Sequence, residues 1–198
     1  MDHALVFDTE TTGKVLWHRP HTDPGQPHIV QLAAALVSEE GWISGGLNRL
    51  VRPQGWRIPA EATAIHGITN EKATTLGVPL ENVMESFAEL CSKVEVVVAH
   101  NIDFDYFMVQ VETARLGIPN PLEHLQQFCT MKGSMYVCNI PSPYGKIEPK
   151  WPTLDEAHRT LVGRSVEGAH DAMVDVEACA RVYAALHRRL RRHEEAAS

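Results

Sequence analysis

The sequence predicts an α/β domain, and two kinds of pattern carry that prediction. Apolar runs separated by turn-forming residues are typical of an antiparallel meander of strands. These runs occupy residues 4–7, 28–37 and 45–51. A continuous β-branched run at 94–99 is typical of a buried central strand. Apolar residues at helical spacing predict amphipathic helices at 79–94 and 169–192.

The remaining elements are predicted from the same two periods and from capping residues. They are a short helix at 59–67, a small turn at 69–71, a helix after Asp105 that ends before Gly117, a short strand at 128–131, helical residues at 134–138, and a helix from Thr153 to about Gly163. Two stretches, 14–27 and 136–152, lack a clear period and are expected to be loops. With 198 residues, the chain suits one domain, residues 1–198, with a full core.

Composition narrows the possible functions. The formal net charge is −7, which argues against a large non-specific DNA-binding surface but allows an enzyme that grips a few nucleotides. Four arginines near the C-terminus are either a solvated helix end or a nucleic-acid contact. They are Arg188, Arg189, Arg191 and Arg192. No apolar run approaches the roughly 20 residues of a membrane span. The N-terminus shows no signal-peptide pattern, so we expect a cytoplasmic protein whose four cysteines are reduced thiols.

The first strand ends in two carboxylates, Asp8 and Glu10. Because alternate side chains of a strand point the same way, the two share one face. Carboxylates held so close resist ionising together unless a cation lies between them. Oxygen ligands favour Mg²⁺ or Mn²⁺ over zinc. The alternative is an exposed acidic strand end, and the choice depends on whether the chain supplies further carboxylates.

Two further acids match this pair. Asp105 follows the central strand, and ligands gather at the carboxyl ends of sheet strands. Asp175 is aligned with the apolar stripe of the last helix, where an unpaired charge costs several kcal/mol. His170 precedes Asp175 by five positions and is expected at the start of that helix.

Together these residues resemble the three motifs of the DnaQ-like 3′–5′ exonuclease family, in its His-containing DEDDh branch. The motifs are Asp8-x-Glu10-x-Thr12, His100-Asn101-x-x-Phe104-Asp105 and His170-x-x-x-x-Asp175. The segment Ile65-His66-Gly67-Ile68-Thr69 is similar to one that follows the third strand in that family. The resemblance runs from about Leu5 to Tyr183. It implies an RNase H-like fold with a mixed five-stranded sheet and helices on both faces.

The resemblance also implies the chemistry. It suggests a 3′–5′ exonuclease that releases nucleoside 5′-monophosphates from DNA with two divalent cations, Mg²⁺ or Mn²⁺. Asp8, Glu10, Asp105 and Asp175 would hold the cations, and His170 would act as general base. Four residues would line the terminal-nucleotide pocket, although each also has a structural interpretation as turn, cap or core residue. These are Thr11, His66, Asn101 and Phe104.

Several alternatives stay open at this point. The same residues would serve a 3′–5′ exoribonuclease, since only contacts with the 2′-OH separate the two substrates. An aspartyl-phosphate phosphatase and a non-catalytic binding module fit the acid pattern less well. The 14–27 and 136–152 loops are longer than usual in the family and are expected to flank the cleft. We expect a partner with a free 3′ end, preferably single-stranded DNA. Association with a polymerase or clamp is possible, although the chain ends soon after its last helix without a tethering tail.

Overall fold

A computed structural model describes residues 3–197, and the side chains of residues 4–192. The strands are β1 His3–Thr11, β2 Ile29–Ser38, β3 Ile43–Leu50, β4 Val96–Ala99 and β5 Gln126–Cys129. The helices are α1 Ala60–His66, α2 Asn70–Leu76, α3 Leu80–Cys91, α4 Ile102–Leu116, α5 Thr130–Cys138, α6 Leu154–Val162 and α7 Ala172–Ala197.

The strands form one five-stranded sheet in the order β3-β2-β1-β4-β5. The pairs β1–β2 and β2–β3 are antiparallel. The pairs β1–β4 and β4–β5 are parallel. Val6 lies opposite Ala35 of β2 and Val98 of β4. The predicted mixed sheet is therefore confirmed, and β1, which carries the first acidic pair, is its central strand.

Helices cover both faces of the sheet, as predicted. Odd-numbered residues of β1, such as Leu5 and Phe7, pack in a core with Phe87 of α3. Even-numbered residues, such as Val6, pack in a second core with Val176 of α7. The alternation of a strand thus divides β1 between two cores, and α7 covers the face that carries Asp8 and Glu10.

The strand β1 is longer than its apolar run. Backbone pairing with β2 continues to Thr11, which lies opposite Ile29 after a register shift. Asp8 and Glu10 are therefore part of a strand paired within the sheet. The predicted turn at 69–71 is instead the start of helix α2. Thr69 caps this helix, because its Oγ1 accepts the Lys72 N–H at 3.1 Å.

Other boundaries shift by a few residues. The last strand ends at Cys129, because Thr130 already begins helix α5. Residues 136–138, which we assigned to the second loop, are the last turn of this helix. Helix α7 begins at Ala172, two residues after His170. Gly168 and His170 both have positive φ, 78° and 69°, which a continuing α-helix does not allow.

The structure bears on two expectations that came from composition, namely the membrane span and the cysteines. Across residues 3–197, the structure contains no helix with the length and apolarity needed to cross a bilayer. All four cysteines are free. Cys91 and Cys179 are buried, whereas Cys129 and Cys138 are half-buried.

Candidate active site

The site is built around Asp8 and Glu10 on β1. Both are partly buried and lie on the face of the sheet that α7 covers. Gln31 of β2 is paired directly with Glu10 and is buried. The Gln31 side chain accepts the Ala172 N–H at 3.4 Å and donates to Asn48 at 2.9 Å. The first residue of α7 is thus tied to the sheet beside Glu10.

Asp105 reaches the site from the opposite face of the sheet. It lies in the first turn of α4 and is only 3% exposed. The carboxylate Oδ1 accepts two hydrogen bonds from Thr9, one from its N–H at 2.9 Å and one from its Oγ1 at 2.7 Å. Because Thr9 stands between Asp8 and Glu10, this contact joins the second motif to the first.

Helix α7 supplies Asp175. The carboxylate Oδ2 of Asp175 accepts the His170 N–H at 3.0 Å, and the Asp175 N–H donates to the Asp171 carbonyl. Ligand atoms of Glu10, His170 and Asp175 all lie within 4.8 Å of one another. The His170 side chain is exposed, so the imidazole is open to solvent at the edge of the acidic cluster.

The carboxylates disturb one another's protonation. Burial, followed by repulsion from Asp105, Asp175 and Glu10, raises the pKa of Asp8 well above its ordinary value. Burial and repulsion from Asp175 and Asp105 raise the pKa of Glu10 to about 8. Burial raises the pKa of Asp105 to about 7, although the Thr9 hydrogen bonds oppose it. Burial also raises the pKa of Asp175.

This cluster has the properties of a divalent-cation site. Among the described residues, neither a lysine nor an arginine contributes to these four pKa shifts. His170 opposes the shift of Asp175 alone, and acidic groups drawn together with so little compensation require protons or a cation. Carboxylate oxygens are the ligands that Mg²⁺ and Mn²⁺ prefer. The donor set therefore fits the predicted ions, and Asp8, Glu10, Asp105 and Asp175 are the residues that would hold them.

Two of the predicted pocket residues, Thr11 and His66, lie near the cluster. The Thr11 hydroxyl donates to the Gly13 carbonyl at 2.7 Å, which is a turn contact. His66 Nδ1 accepts the Ile68 N–H at 3.0 Å, so the proton of the neutral ring lies on Nε2. Burial lowers the pKa of His66, with the Thr11 backbone opposing the shift and His170 adding to it. Since Nδ1 is engaged with Ile68, the contact with the Thr11 backbone falls to Nε2, which is buried and makes no well-formed hydrogen bond among the described residues.

The other two pocket residues, Asn101 and Phe104, have clear structural roles. Asn101 precedes α4 in the left-handed conformation, with φ of 70° and ψ of 48°. Phe104 is half-buried and packs against the larger core. Neither placement tests contact with a nucleotide, so the binding roles of all four pocket residues stay predictions.

Residues left out of the predicted catalytic set have other partners. His100 is bonded through Nδ1 to Thr130 at 2.9 Å and through Nε2 to the Pro152 carbonyl at 3.1 Å. It thereby anchors the end of the second loop beside Asn101. Asp103 pairs with Lys132 at the surface. The Asp171 carboxylate accepts the Met173 N–H, which caps the start of α7.

Sequence reasoning missed Thr9 and Gln31. Thr9 was treated as the spacer between two acids, although its hydroxyl points to the opposite face. Gln31 interrupts the run Ile29, Val30, Leu32 and Ala33, and a polar residue inside a buried strand was a usable signal. Neither contact is local, because Thr9 and Asp105 are 96 positions apart.

Solved structures show the fold class. Escherichia coli exonuclease I in complex with a dT13 oligonucleotide superposes with a TM-score of 0.76 at 20% identity, covering 98% of this chain and 43% of that chain. A thermophilic exonuclease I from Methylocaldum szegediense gives a TM-score of 0.72 at 21% identity, covering 96% of this chain and 41% of that chain. The chain therefore has an RNase H-like fold and spans less than half of these relatives.

Sequence comparison shows the family. A family model described as "Exonuclease" (RNase_T) matches residues 5–183. An uncharacterized exonuclease of Escherichia phage 186 is 33% identical, over 88% of this chain and 82% of its own length. A DNA polymerase III subunit epsilon-like protein of Rhodobacter capsulatus is 38% identical, over 57% of this chain and 15% of its own. A PolC-type DNA polymerase III of Streptococcus sanguinis is 32% identical, over 60% of this chain and 7% of its own. This chain belongs to the DnaQ-like exonuclease family, as its motifs predicted.

Proposed function

We propose that this chain is a 3′–5′ exonuclease that hydrolyses the terminal phosphodiester bond of DNA and releases nucleoside 5′-monophosphates. The observation that carries the proposal is the convergence of Asp8, Glu10, Asp105 and Asp175, whose pKa values are all raised. Family membership over residues 5–183 supports the same activity. A cytoplasmic location and association with a polymerase or clamp stay predictions.

The residues of the cluster take separate roles in this proposal. In this proposal Asp8 would be shared by the two cations, since the other three acids all raise its pKa. Glu10 and Asp175 would complete the site on the side of the attacking water, and Asp105 would assist on the side of the leaving group. When bound, the two cations favour ionisation of the attacking water and stabilise charge on the leaving oxygen.

His170 is the proposed general base. Its ring lies within reach of Glu10 and Asp175, and its backbone N–H is fixed by the Asp175 carboxylate. A neutral imidazole has an unprotonated ring nitrogen, which can accept a proton from the attacking water. The exposed position then allows the proton to leave to solvent. The proposal also assigns His66 to the pocket of the terminal nucleotide.

Single-stranded DNA is the proposed substrate. The structural relative named above is a complex with a dT13 oligonucleotide, and we extend that substrate class to this chain. The exoribonuclease alternative uses the same cluster, so the test must compare both polymers.

A digestion experiment tests the proposal. Single-stranded DNA, duplex DNA and RNA, each labelled at the 5′ end, are incubated with Mg²⁺ or Mn²⁺, with chelator controls. We expect a ladder shortened from the 3′ end, release of mononucleotides, the highest rate on single-stranded DNA, and slow cleavage of a strand ending in a 3′-phosphate. Equal rates on free and blocked ends would contradict the 3′–5′ assignment. Faster digestion of RNA would favour the exoribonuclease.

A further inference from the structure

The 14–27 loop is a folded unit, although its sequence has no secondary-structure period. Gln26, only 2% exposed, lies at its centre. The Gln26 Nε2 donates to the Leu16 carbonyl at 3.0 Å and lies 3.3 Å from the Arg19 and Pro20 carbonyls. The Gln26 Oε1 accepts the Leu16 N–H at 3.0 Å. One buried amide thus closes the loop on itself.

The loop is also fixed to the body of the protein. Arg115 of α4 donates to the Gln26 and Pro27 carbonyls. Val15 is buried in the core that contains α4. At the other end, the His28 N–H donates to Thr12 Oγ1 at 2.8 Å. Since β1 enters this loop directly after Glu10 and Thr11, the position of the loop relative to the acidic cluster is set.

The loop presents one aromatic side chain that the core does not use. Trp17 is 53% exposed, and its ring meets Phe107 edge-on at a centroid distance of 5.0 Å. His21 packs on the same Phe107 ring at 4.6 Å. Phe107 follows Phe104 by one helical turn, a rise of about 4.5 Å. The Trp17 ring is therefore supported by Phe107 of α4, the helix that also carries Asp105.

Positive charge lies beside Trp17. Lys14 and Arg19 are exposed on the same loop, with Arg19 in a surface pair with Asp23 at 3.6 Å. In a chain of net charge −7, cations beside an exposed tryptophan are the combination that single-stranded nucleic acid recognises, through base stacking and phosphate contacts.

We propose that the 14–27 loop is a binding platform for the single strand upstream of the scissile bond, and that Trp17 stacks on one of its bases. This inference rests on the proposed function and adds the substrate class that this loop selects: an unpaired strand longer than the terminal nucleotide. Duplex ends do not offer an unstacked base to Trp17 without melting.

The test compares two substrates. Oligothymidylate extends across the platform, whereas the p-nitrophenyl ester of thymidine 5′-monophosphate reaches only the cleavage site. We expect the ratio of kcat/KM for oligothymidylate to that for the ester to fall roughly 5- to 100-fold in Trp17→Ala, mainly through KM. Trp17→Leu, which retains an apolar contact with Phe107, should show the same fall, and Trp17→Phe should restore most of the ratio.

Trp42→Ala is the matched control. Trp42 is 76% exposed and lies in the turn between β2 and β3, at the end of the sheet opposite the acidic cluster. The Trp42→Ala variant should therefore hydrolyse both substrates at the wild-type rate. If the ratio of kcat/KM for oligothymidylate to that for the ester stays at the wild-type value in both Trp17→Ala and Trp17→Leu, the proposed binding role of the loop is wrong. Binding of fluorescein-labelled oligothymidylate, measured by fluorescence anisotropy in chelator, separates the two proposals. A wild type that binds in a Trp17-dependent way but cleaves neither substrate would overturn only the exonuclease.

Discussion

At the scale of single residues, the site depends on how each carboxylate is held. Asp105 belongs to α4, but its Oδ1 is bound by the backbone and hydroxyl of Thr9 in β1. These bonds favour the ionised carboxylate against its burial. Thr9 therefore orients a proposed cation ligand without touching the cation, and residues of this kind affect metal affinity and turnover.

Replacement of Thr9 by Val tests that role, because the shape of the side chain is kept and the hydroxyl is lost. We expect kcat/KM to fall roughly 10- to 100-fold and the free energy of unfolding to fall by about 1 kcal/mol. Steady-state kinetics and urea unfolding measure the two effects. Thr160→Val, at a surface helix position, is the control, and equal kinetics in both variants would contradict the prediction.

His170 is a second residue whose role can be isolated. We expect His170→Ala to lower kcat by about 10²- to 10⁴-fold, because the attacking water loses its proton acceptor. His124→Ala, at an exposed position, is the control.

Calorimetry with Mg²⁺ distinguishes a base from a ligand at this position. Retained cation affinity in His170→Ala supports the base, since the four carboxylates remain. A large loss of affinity would instead make His170 a metal ligand, an arrangement that its distance to Glu10 and Asp175 permits.

At the scale of elements, the start of α7 determines where Asp175 lies. The positive φ of Gly168 and His170 ends the preceding turn, and Gln31 then binds the N–H of Ala172. Asp175 lies three residues further along the helix. A strand residue therefore sets the position of a helix ligand, although the two are distant in sequence.

Gln31→Leu should loosen this connection while preserving bulk in the strand. We expect Mg²⁺ affinity to fall by up to roughly 10-fold, because Asp175 is less well placed against Glu10. Titration of activity against Mg²⁺ measures the change. Gln127→Leu, on an exposed β5 position, is the control, and an unchanged Mg²⁺ dependence in Gln31→Leu would show that α7 is held by its apolar packing alone.

At the scale of the whole molecule, the raised pKa values couple stability to pH. Below about pH 4 the carboxyls are protonated in both states. As the pH rises to about 8, the unfolded chain loses protons that the folded cluster retains. The free energy of unfolding of the cation-free protein should therefore fall across that interval.

Thermal unfolding at several pH values, with and without Mg²⁺, measures this effect. Each pKa unit corresponds to about 1.4 kcal/mol, so the loss is expected to be on the order of a few kcal/mol. Asp8→Asn should reduce the loss and abolish the Mg²⁺-dependent hydrolysis. Asp103→Asn, at a surface pair, should change neither. A cation-free protein that becomes more stable from pH 5 to pH 8 would contradict the cluster's electrostatics.

Two of the four arginines near the C-terminus have partners in the body of the protein. Arg191 pairs with Glu39, and Arg188 lies 3.4 Å from the Glu40 carbonyl. Both acids lie in the turn after β2, at the end of the sheet opposite the acidic cluster. These contacts favour a structural helix end over a nucleic-acid surface.

The sequence by itself determined the order of most elements and the identities of the acidic residues. Apolar periodicity is a local property, so strands such as β2 and helices such as α3 were predicted close to their observed bounds. Helix α2 was missed because its Thr69 cap was interpreted as a turn.

Only the tertiary structure decided how the acids are held and what the long loop does. The Thr9–Asp105 and Gln31–Ala172 contacts join residues 96 and 141 positions apart. The order of the 14–27 loop comes from one buried amide and from Arg115 of a distant helix. Such contacts depend on strand register and helix packing. A chain's local pattern does not contain them, because they arise only when separate elements bury their apolar faces together.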